Sequence, residues 1–183
     1  MSYKIAVSGA SKTDYCSPNA TILAEEVGKE IALHGCVLIT GATTGMPYFS
    51  ARGAKQAGGI SIGFSPASSE IAHVKAYKLP TDFFDVIVYT GFDYSGRNLL
   101  MTRAADAVII ICGRTGTLNE FTIAFEDKKP IGVLIGSGGT ADRIRDLAKG
   151  PSRVRKKIVY DSNPKVLIEE IIELIKKEKK NLS

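Results

Sequence analysis

The 183-residue sequence has no tryptophan, only two histidines and only three cysteines. Neither His34 nor His73 has a metal-ligand spacing with a cysteine, which argues against a zinc site. Cys16, Cys36 and Cys112 are an odd number without a close pair, so we expect no disulfide framework. A nucleophilic cysteine–histidine pair stays open as an alternative that no motif supports.

The sequence also lacks long apolar runs, and we expect no secretion signal. No apolar run approaches the ~18 residues that a membrane-spanning helix needs. The N-terminal MSYKIAVSGA has no basic region followed by an apolar core and a cleavage site. We therefore expect a cytoplasmic protein without a membrane partner. The length and the 44% hydrophobic content predict one globular domain over residues 1–183.

Acidic residues are scarce in the C-terminal quarter. The formal net charge is +5; residues 1–140 hold 12 basic and 12 acidic residues, whereas residues 141–183 hold 12 and 7. The cluster Arg153, Arg155, Lys156 and Lys157 and the tail KKEKK are candidates for nucleic-acid contact. A solvated surface with cations at a helix C-terminus is the simpler explanation. The missing aromatic interleaving favours this second interpretation, so we do not expect nucleic acid to be the main partner.

Short apolar strands alternate with amphipathic helices along the chain. The predicted strands are Ile5–Val7, Val37–Thr40, Ile60–Phe64, Val86–Tyr89, Val108–Cys112, Ile131–Ile135 and Ile158–Tyr160. The predicted helices are one opened by Ser17 as N-cap and Pro18, then Tyr48–Ala57, Ser95–Ala105, Leu118–Glu126, Ala141–Leu147 and Pro164–Lys180, with residues 65–84 mostly loop. This alternation predicts a doubly wound α/β fold, with a mostly parallel sheet of about six or seven strands and helices on both faces.

The loops that follow the strands are rich in glycine, serine and threonine. In a parallel sheet, ligands bind outside the carboxyl ends of the strands. Glycine lets backbone N–H groups approach a ligand, and a helix N-terminus favours an anion. We favour ligand contact for the loops at 41–47 and 113–117, whereas those at 8–13 and 136–140 serve equally well as plain turns. GxGxxG and GxxxxGK[ST] are both absent, so neither a dinucleotide site nor a P-loop is predicted.

Three charged residues lie in or just after these loops: Arg97, Arg114 and Glu120. An arginine beside an anion-binding loop is a natural phosphate partner. A carboxylate there can act as a general base, a nucleophile or a stabiliser of developing positive charge. The alternative is a structural Arg–Glu ion pair that closes the cleft.

These residues stand in motifs that resemble those of the Lonely Guy (LOG) or "lysine decarboxylase-like" family of the Rossmann-like SLOG superfamily. The matching stretches are Gly96–Asn98, Ala105–Val108 and Gly113–Glu120. Arg97 and Glu120 stand 23 positions apart, as the family's arginine and glutamate do. TGATTGMPYFSARGAKQAGG resembles the glycine-rich N-terminal stretch of the family, and the resemblance covers residues 4–135.

The chain departs from the family pattern at several positions. Cys112 replaces a proline, Arg114 the second glycine of PGGxGTxxE, and Asn98 the lysine of the RK-type motif. Asn119 replaces a glutamate and Tyr48 a glycine. Arg114 either adds a cation for a phosphate or fills the space that the glycine keeps clear.

The resemblance implies a phosphoribohydrolase, which cuts the N-glycosidic bond of a nucleoside 5′-monophosphate without a metal or redox cofactor. It also implies a homodimer or larger homo-oligomer. Glu120 would stabilise the oxocarbenium-like centre at C1′, and Arg97 would bind phosphate or ribose and keep Glu120 ionised. The superfamily also contains a molybdenum-cofactor carrier and nucleotide sensors, which leaves non-catalytic binding as the alternative.

The predicted substrate- and phosphate-binding residues are Gly113, Arg114, Thr115, Gly116, Thr117, Gly41, Thr43, Thr44, Gly45, Ser8, Gly9 and Ser11.

Overall fold

The computed structural model describes residues 2–148 and 156–180. Its strands are β1 Lys4–Gly9, β2 Val37–Thr40, β3 Ser61–Ser65, β4 Val86–Tyr89, β5 Ala107–Ile111, β6 Ile131–Leu134 and β7 Ile158–Asp161. Its α-helices are α1 Ala20–Leu33, α2 Met46–Gln56, α3 Asp93–Ala104, α4 Thr115–Glu126, α5 Ile144–Leu147 and α6 Pro164–Lys180. A π-helical turn spans Ala72–Ala76, and a 3-10 turn spans Ala141–Arg143.

The described strands form a seven-stranded sheet in the order β4-β3-β2-β1-β5-β6-β7. Every neighbouring pair is parallel; Ile5 of β1 pairs with Leu38 of β2 and with Ala107 of β5. The chain runs from β1 outward to β4 and then returns to β5 beside β1. The connections after β1 and β5 therefore lead away in opposite directions, and a crevice opens between them at the carboxyl ends.

Alternate side chains of the central strands enter two different cores, because successive strand residues point to opposite faces. Ile5 and Val7 of β1 pack with buried residues of α1, α2 and α6 on one face. Ala6 of β1 and Ile110 of β5 pack with residues of α3, α4 and α5 on the other. Every residue of β5 is buried, as expected for a central parallel strand covered on both faces. This is the predicted doubly wound α/β fold.

Several helix boundaries differ from the prediction. Helix α4 begins at Thr115 rather than Leu118, so its first turn takes up most of the predicted loop. Helix α1 begins at Ala20, and the prediction that Ser17 caps it is wrong. The N–H of Ser17 instead donates to the carbonyl of Ser137 at 3.0 Å, which ties this residue to the loop after β6.

The expectation that no cysteines pair is also wrong, because Cys16 and Cys112 form a disulfide. The two residues are 96 positions apart in sequence, but the loops after the adjacent strands β1 and β5 bring them together. Cys36 is free and buried. Cysteine usage therefore no longer supports the predicted cytoplasmic location.

Part of the basic C-terminal region is paired within the protein. Lys157 forms an ion pair with Glu178 and donates to the carbonyl of Lys128 at 2.8 Å. Lys179 pairs with Asp106 at 2.8 Å. The predicted contact residues Arg153 and Arg155 lie outside the described residues. No helix of the described ranges is long and apolar enough to cross a membrane.

Candidate functional site

A cleft of about 280 Å³ lies at the carboxyl ends of β1 and β5, where the strand order reverses. Ligands of open parallel sheets bind at such a switch point. The predicted site residues that line the cleft are Ser8, Gly9, Ser11, Gly41, Thr43, Arg97, Arg114, Thr115, Gly116, Thr117 and Glu120. The fold thus brings together segments that follow four different strands and are far apart in sequence.

Arg97 and Glu120 form a buried ion pair in the cleft wall. Nη1 of Arg97 lies 3.2 Å from Oε1 of Glu120, and each residue is only 6% exposed. The hydroxyl of Ser8 donates to Oε2 of the same carboxylate. When the side-chain amide of Asn98 is oriented to satisfy its neighbours, Nδ2 donates to Oε1 of Glu120 and to the carbonyl of Tyr94, each at 2.9 Å. Both carboxylate oxygens therefore accept hydrogen bonds.

Burial dominates the acid–base properties of this pair. Desolvation raises the pKa of Glu120 above its ordinary value, and the Arg97 charge and the Ser8 hydroxyl oppose that rise. Desolvation likewise lowers the pKa of Arg97, opposed by the charge of Glu120. An arginine nonetheless stays protonated in a protein, so its positive charge persists in the wall of the cleft.

Arg97 approaches the backbone of the β2 loop very closely. A Cβ at Gly41 would lie 2.2 Å from Nη1 of Arg97, so a side chain at this position would displace the guanidinium from where it lies. Nε of Arg97 is buried and has no hydrogen-bond partner among the described residues. Because such donors are normally satisfied, we expect a ligand acceptor or a water molecule to approach it.

The first turn of α4 forms the other end of the cleft. The N–H of Leu118 makes a bond to the carbonyl of Arg114 at 2.9 Å. The N–H groups of Thr115, Gly116 and Thr117 precede that bond and have no acceptor within the helix. Together with the positive end of the helix dipole, they form a site suited to an anion.

The turn at Cys112 and Gly113 sets the direction in which the N–H groups of α4 point. Cys112 and Gly113 both have positive φ, at 52° and 98°. A Cβ at Gly113 would lie 2.5 Å from side-chain atoms of Thr117, so Gly113 supports the turn from behind. A Cβ at Gly116 would meet no atom within 4 Å. Gly113 is thus a predicted site residue that shapes the cleft without lining it.

Thr44 and Gly45 also support the site from outside the lining. The hydroxyl of Thr44 donates to the carbonyl of Ser11 at 3.0 Å, which ties the β2 loop to the β1 loop. Gly45 has φ of 71°, and a Cβ there would lie 2.1 Å from the carbonyl oxygen of Ala10. Gly45 is therefore required for the close approach of these two loops.

Arg114 lies on the rim of the cleft. Its guanidinium carbon is 5.3 Å from the centre of the Tyr15 ring, a cation–π geometry. The carbonyl of Arg114 accepts a hydrogen bond from the hydroxyl of Thr140 at 3.1 Å. The residue that replaces the family's glycine therefore adds a cation beside the free N–H groups of α4.

Several lining residues were not predicted as site residues, among them Tyr15, Tyr94 and Asn98. Asn98 follows Arg97 directly, on the second turn of α3. This adjacency in the sequence could have identified Asn98 as a site residue. Tyr94 lies 5.9 Å from the Arg97 guanidinium and packs edge-on against Tyr77. Tyr15 stands in a polar loop with no periodic pattern, so nothing in the sequence indicated that it faces the cleft.

The fold and the cleft define a Rossmann-like protein of the SLOG superfamily. Residues 2–168 match the model of the SLOG cluster4 family, and the chain belongs to that family.

The chain is similar to proteins of archaea, bacteria and algae. It is 31% identical over 131 residues to an uncharacterized protein of Archaeoglobus fulgidus, covering 72% of this chain and 79% of that protein. The solved molybdenum cofactor binding protein of Rippkaea orientalis is 28% identical, with a TM-score of 0.77 over 96% of this chain and 98% of the other. The molybdenum cofactor carrier protein of Chlamydomonas reinhardtii is 26% identical, with a TM-score of 0.76 over 96% and 99%.

Proposed function

We propose that the protein binds a phosphorylated small molecule of nucleotide or pterin type in this cleft and acts as a binding or carrier protein. The observation that carries this proposal is the first turn of α4, whose N–H groups at Thr115–Thr117 line the cleft beside the cation of Arg114. A terminal phosphate satisfies those donors and complements the positive end of the α4 dipole and the charge of Arg114.

The molybdenum cofactor stands first among the candidate ligands. It is a pterin that ends in a phosphate, and both solved relatives described above bind it or carry it by name. In this proposal the cofactor is the cargo of a carrier, so the protein has to bind and shield it and does not have to catalyse a reaction. In this proposal the phosphate lies at α4 and the ring system extends toward Tyr94 and the β1 loop.

The contacts of Glu120 fit a structural role in a binding site. Ser8 and Arg97 each occupy a lone-pair site on one of its two carboxylate oxygens, out of the roughly four such sites that an ionised carboxylate has. The carboxylate is therefore held as a part of the wall that fixes Arg97.

A phosphoribohydrolase is the second candidate, because the Arg97–Glu120 pair lines the same cleft as the anion site. With a 5′-phosphate at α4, Glu120 would face C1′ of the ribose and stabilise the positive charge that develops there. Water would then add to C1′ as the C1′–N bond breaks, and the base would leave with a proton from that water.

One panel separates the two functions. Purified protein is titrated by calorimetry with molybdenum cofactor and with AMP, GMP and CMP, each nucleotide beside its nucleoside, while release of free base is followed by chromatography. We expect binding that requires the phosphate and no base release. Equal affinity for nucleotide and nucleoside, together with no affinity for the cofactor, would refute the proposal. Base release that disappears in Glu120→Gln would establish the hydrolase instead.

A further inference from the structure

We propose that the Cys16–Cys112 disulfide is a redox-controlled clamp on the phosphate end of the cleft: when oxidised it holds Tyr15 against Arg114, and when reduced it lets Tyr15 leave. This inference rests on the proposed binding of a phosphorylated ligand. It assigns a role to a covalent bond that neither candidate function requires.

The disulfide joins the two rims of the cleft. Cys16 directly follows Tyr15 on one rim, and Cys112 lies two positions before Arg114 on the other. Tyr15 and Arg114 both line the cleft, and they contact each other in the cation–π geometry described above. The bond therefore restrains the two backbone segments that carry the side chains flanking the entrance to the α4 donors.

The Cys112 rim keeps its position without the disulfide. The N–H of Cys112 donates to the hydroxyl of Ser137 at 2.8 Å. The backbone and the hydroxyl of Thr140 donate to the carbonyls of Gly113 and Arg114 at 2.9 and 3.1 Å. Because these bonds do not involve sulfur, reduction leaves the anion-binding turn and its N–H groups in place.

The Tyr15 rim has backbone contacts of its own, since Cys16 forms an isolated antiparallel bridge with Gly138, but the disulfide is its covalent link to the Cys112 rim. The N–H of Cys16 bonds within its own turn, to the carbonyl of Thr13 at 3.0 Å, and Ser17 holds the far side of that turn to Ser137. The Tyr15 side chain itself is 37% exposed, and Arg114 is its contact across the cleft. Reduction therefore removes the covalent restraint next to Tyr15, and the ring gains freedom while the turn behind it stays anchored.

The two sulfurs differ in access. Cys112 is fully buried, whereas Cys16 is half-buried, so an external dithiol attacks the sulfur of Cys16. The Cys16–Cys112 bond breaks as a mixed disulfide forms, and Cys112 leaves as a thiolate that takes up a proton. The second thiol of the donor then displaces Cys16. The protein gains two electrons and two protons, and the donor becomes its own disulfide.

The clamp acts on the phosphate end of the ligand. Arg114 is exposed, and in the oxidised protein Tyr15 holds its guanidinium in one orientation beside the α4 donors, which favours its contact with a phosphate. In the reduced protein, Arg114 loses this restraint and its side chain samples more orientations. Because a cation–π contact at an exposed site is weak, we expect a loss of about two- to fivefold in affinity for a phosphorylated ligand.

The test uses Cys36→Ser protein, which carries no third thiol, in its oxidised form and after reduction with dithiothreitol. Calorimetry gives the Kd of AMP, of inorganic phosphate and of adenosine in each form. We expect reduction to raise the Kd of AMP and phosphate by two- to fivefold while that of adenosine stays unchanged. The Cys16→Ser variant should match the reduced protein under oxidising conditions, and Tyr15→Leu should remove the difference between the two forms.

The outcomes separate this inference from the proposed function. Equal Kd values of AMP in the oxidised and reduced forms overturn the clamp and leave phosphate binding intact. The clamp is also overturned when reduction raises the Kd of adenosine as much as that of AMP, because that pattern indicates a general loosening of the fold. No binding of AMP or phosphate in either form overturns the clamp and removes a main support of the proposed function.

Discussion

At the scale of single residues, the Arg97–Glu120 pair shows how charge is distributed along the cleft. The positive charge of Arg97 is already compensated by Glu120, since their side chains are 3.2 Å apart and both are buried. The net positive end of the cleft is instead at Arg114 and the first turn of α4. The sequence-based expectation that Arg97 itself holds the phosphate is therefore less favourable than binding at α4, and Arg97 contributes chiefly through its unpaired Nε.

The pH dependence of stability tests this pair. Arg97→Met removes the cation that opposes the desolvation of Glu120, so the folded-state pKa of Glu120 rises further. A carboxyl whose folded pKa exceeds its unfolded pKa adds stability at low pH and loses it as the pH rises through the folded value. We expect Arg97→Met to lose about 3 kcal/mol of unfolding free energy near pH 8, and to recover part of that loss near pH 5.

The matched control for that measurement is Arg97→Met/Glu120→Gln. The double variant has no buried carboxyl at this position, so urea unfolding should show no recovery between the same two pH values beyond that of the unsubstituted protein. A recovery of equal size in both variants would mean that another group titrates, and the assignment to Glu120 would be wrong.

At the scale of helices and strands, the parallel sheet was predictable because apolar strands and helical patterns alternate along the chain. β2, β4 and α6 have the bounds expected from the sequence. The start of α4 was not predictable, because Thr115, Gly116 and Thr117 are typical of loops and poor helix formers. They are helical because the preceding turn at Cys112 and Gly113 is held by the loop after β6, a contact that no local pattern reveals.

Two glycines of this turn should respond oppositely to the same substitution. Gly113→Ala places a side chain at φ of 98° and against Thr117, so we expect a loss of more than about 1 kcal/mol of unfolding free energy. Gly116→Ala adds a methyl group into open space within the first turn of α4, so we expect a gain of up to about 0.5 kcal/mol. Urea unfolding of both variants checks this, and a similar loss in both would show that α4 does not begin at Thr115.

At the scale of the whole molecule, the switch point between β1 and β5 explains why the site was only partly predictable. The sequence indicates which residues follow each strand, and most of the predicted site residues line the cleft. It does not indicate which of these loops meet, because that depends on the strand order. The Cys16–Cys112 disulfide and the Tyr15–Arg114 contact both join the loop after β1 to the loop after β5, and both were missed for this reason.

The same disulfide should stabilise the whole fold. It closes a loop of 96 residues that contains β2, β3 and β4 and so restricts the unfolded chain strongly. In the chain-entropy model a loop of that length contributes about 4.7 kcal/mol. We expect dithiothreitol to lower the unfolding free energy of Cys36→Ser protein by about that amount, measured by urea unfolding, whereas Cys16→Ser/Cys36→Ser protein should not respond to the reductant. An identical transition with and without dithiothreitol would show that the two cysteines do not pair in solution.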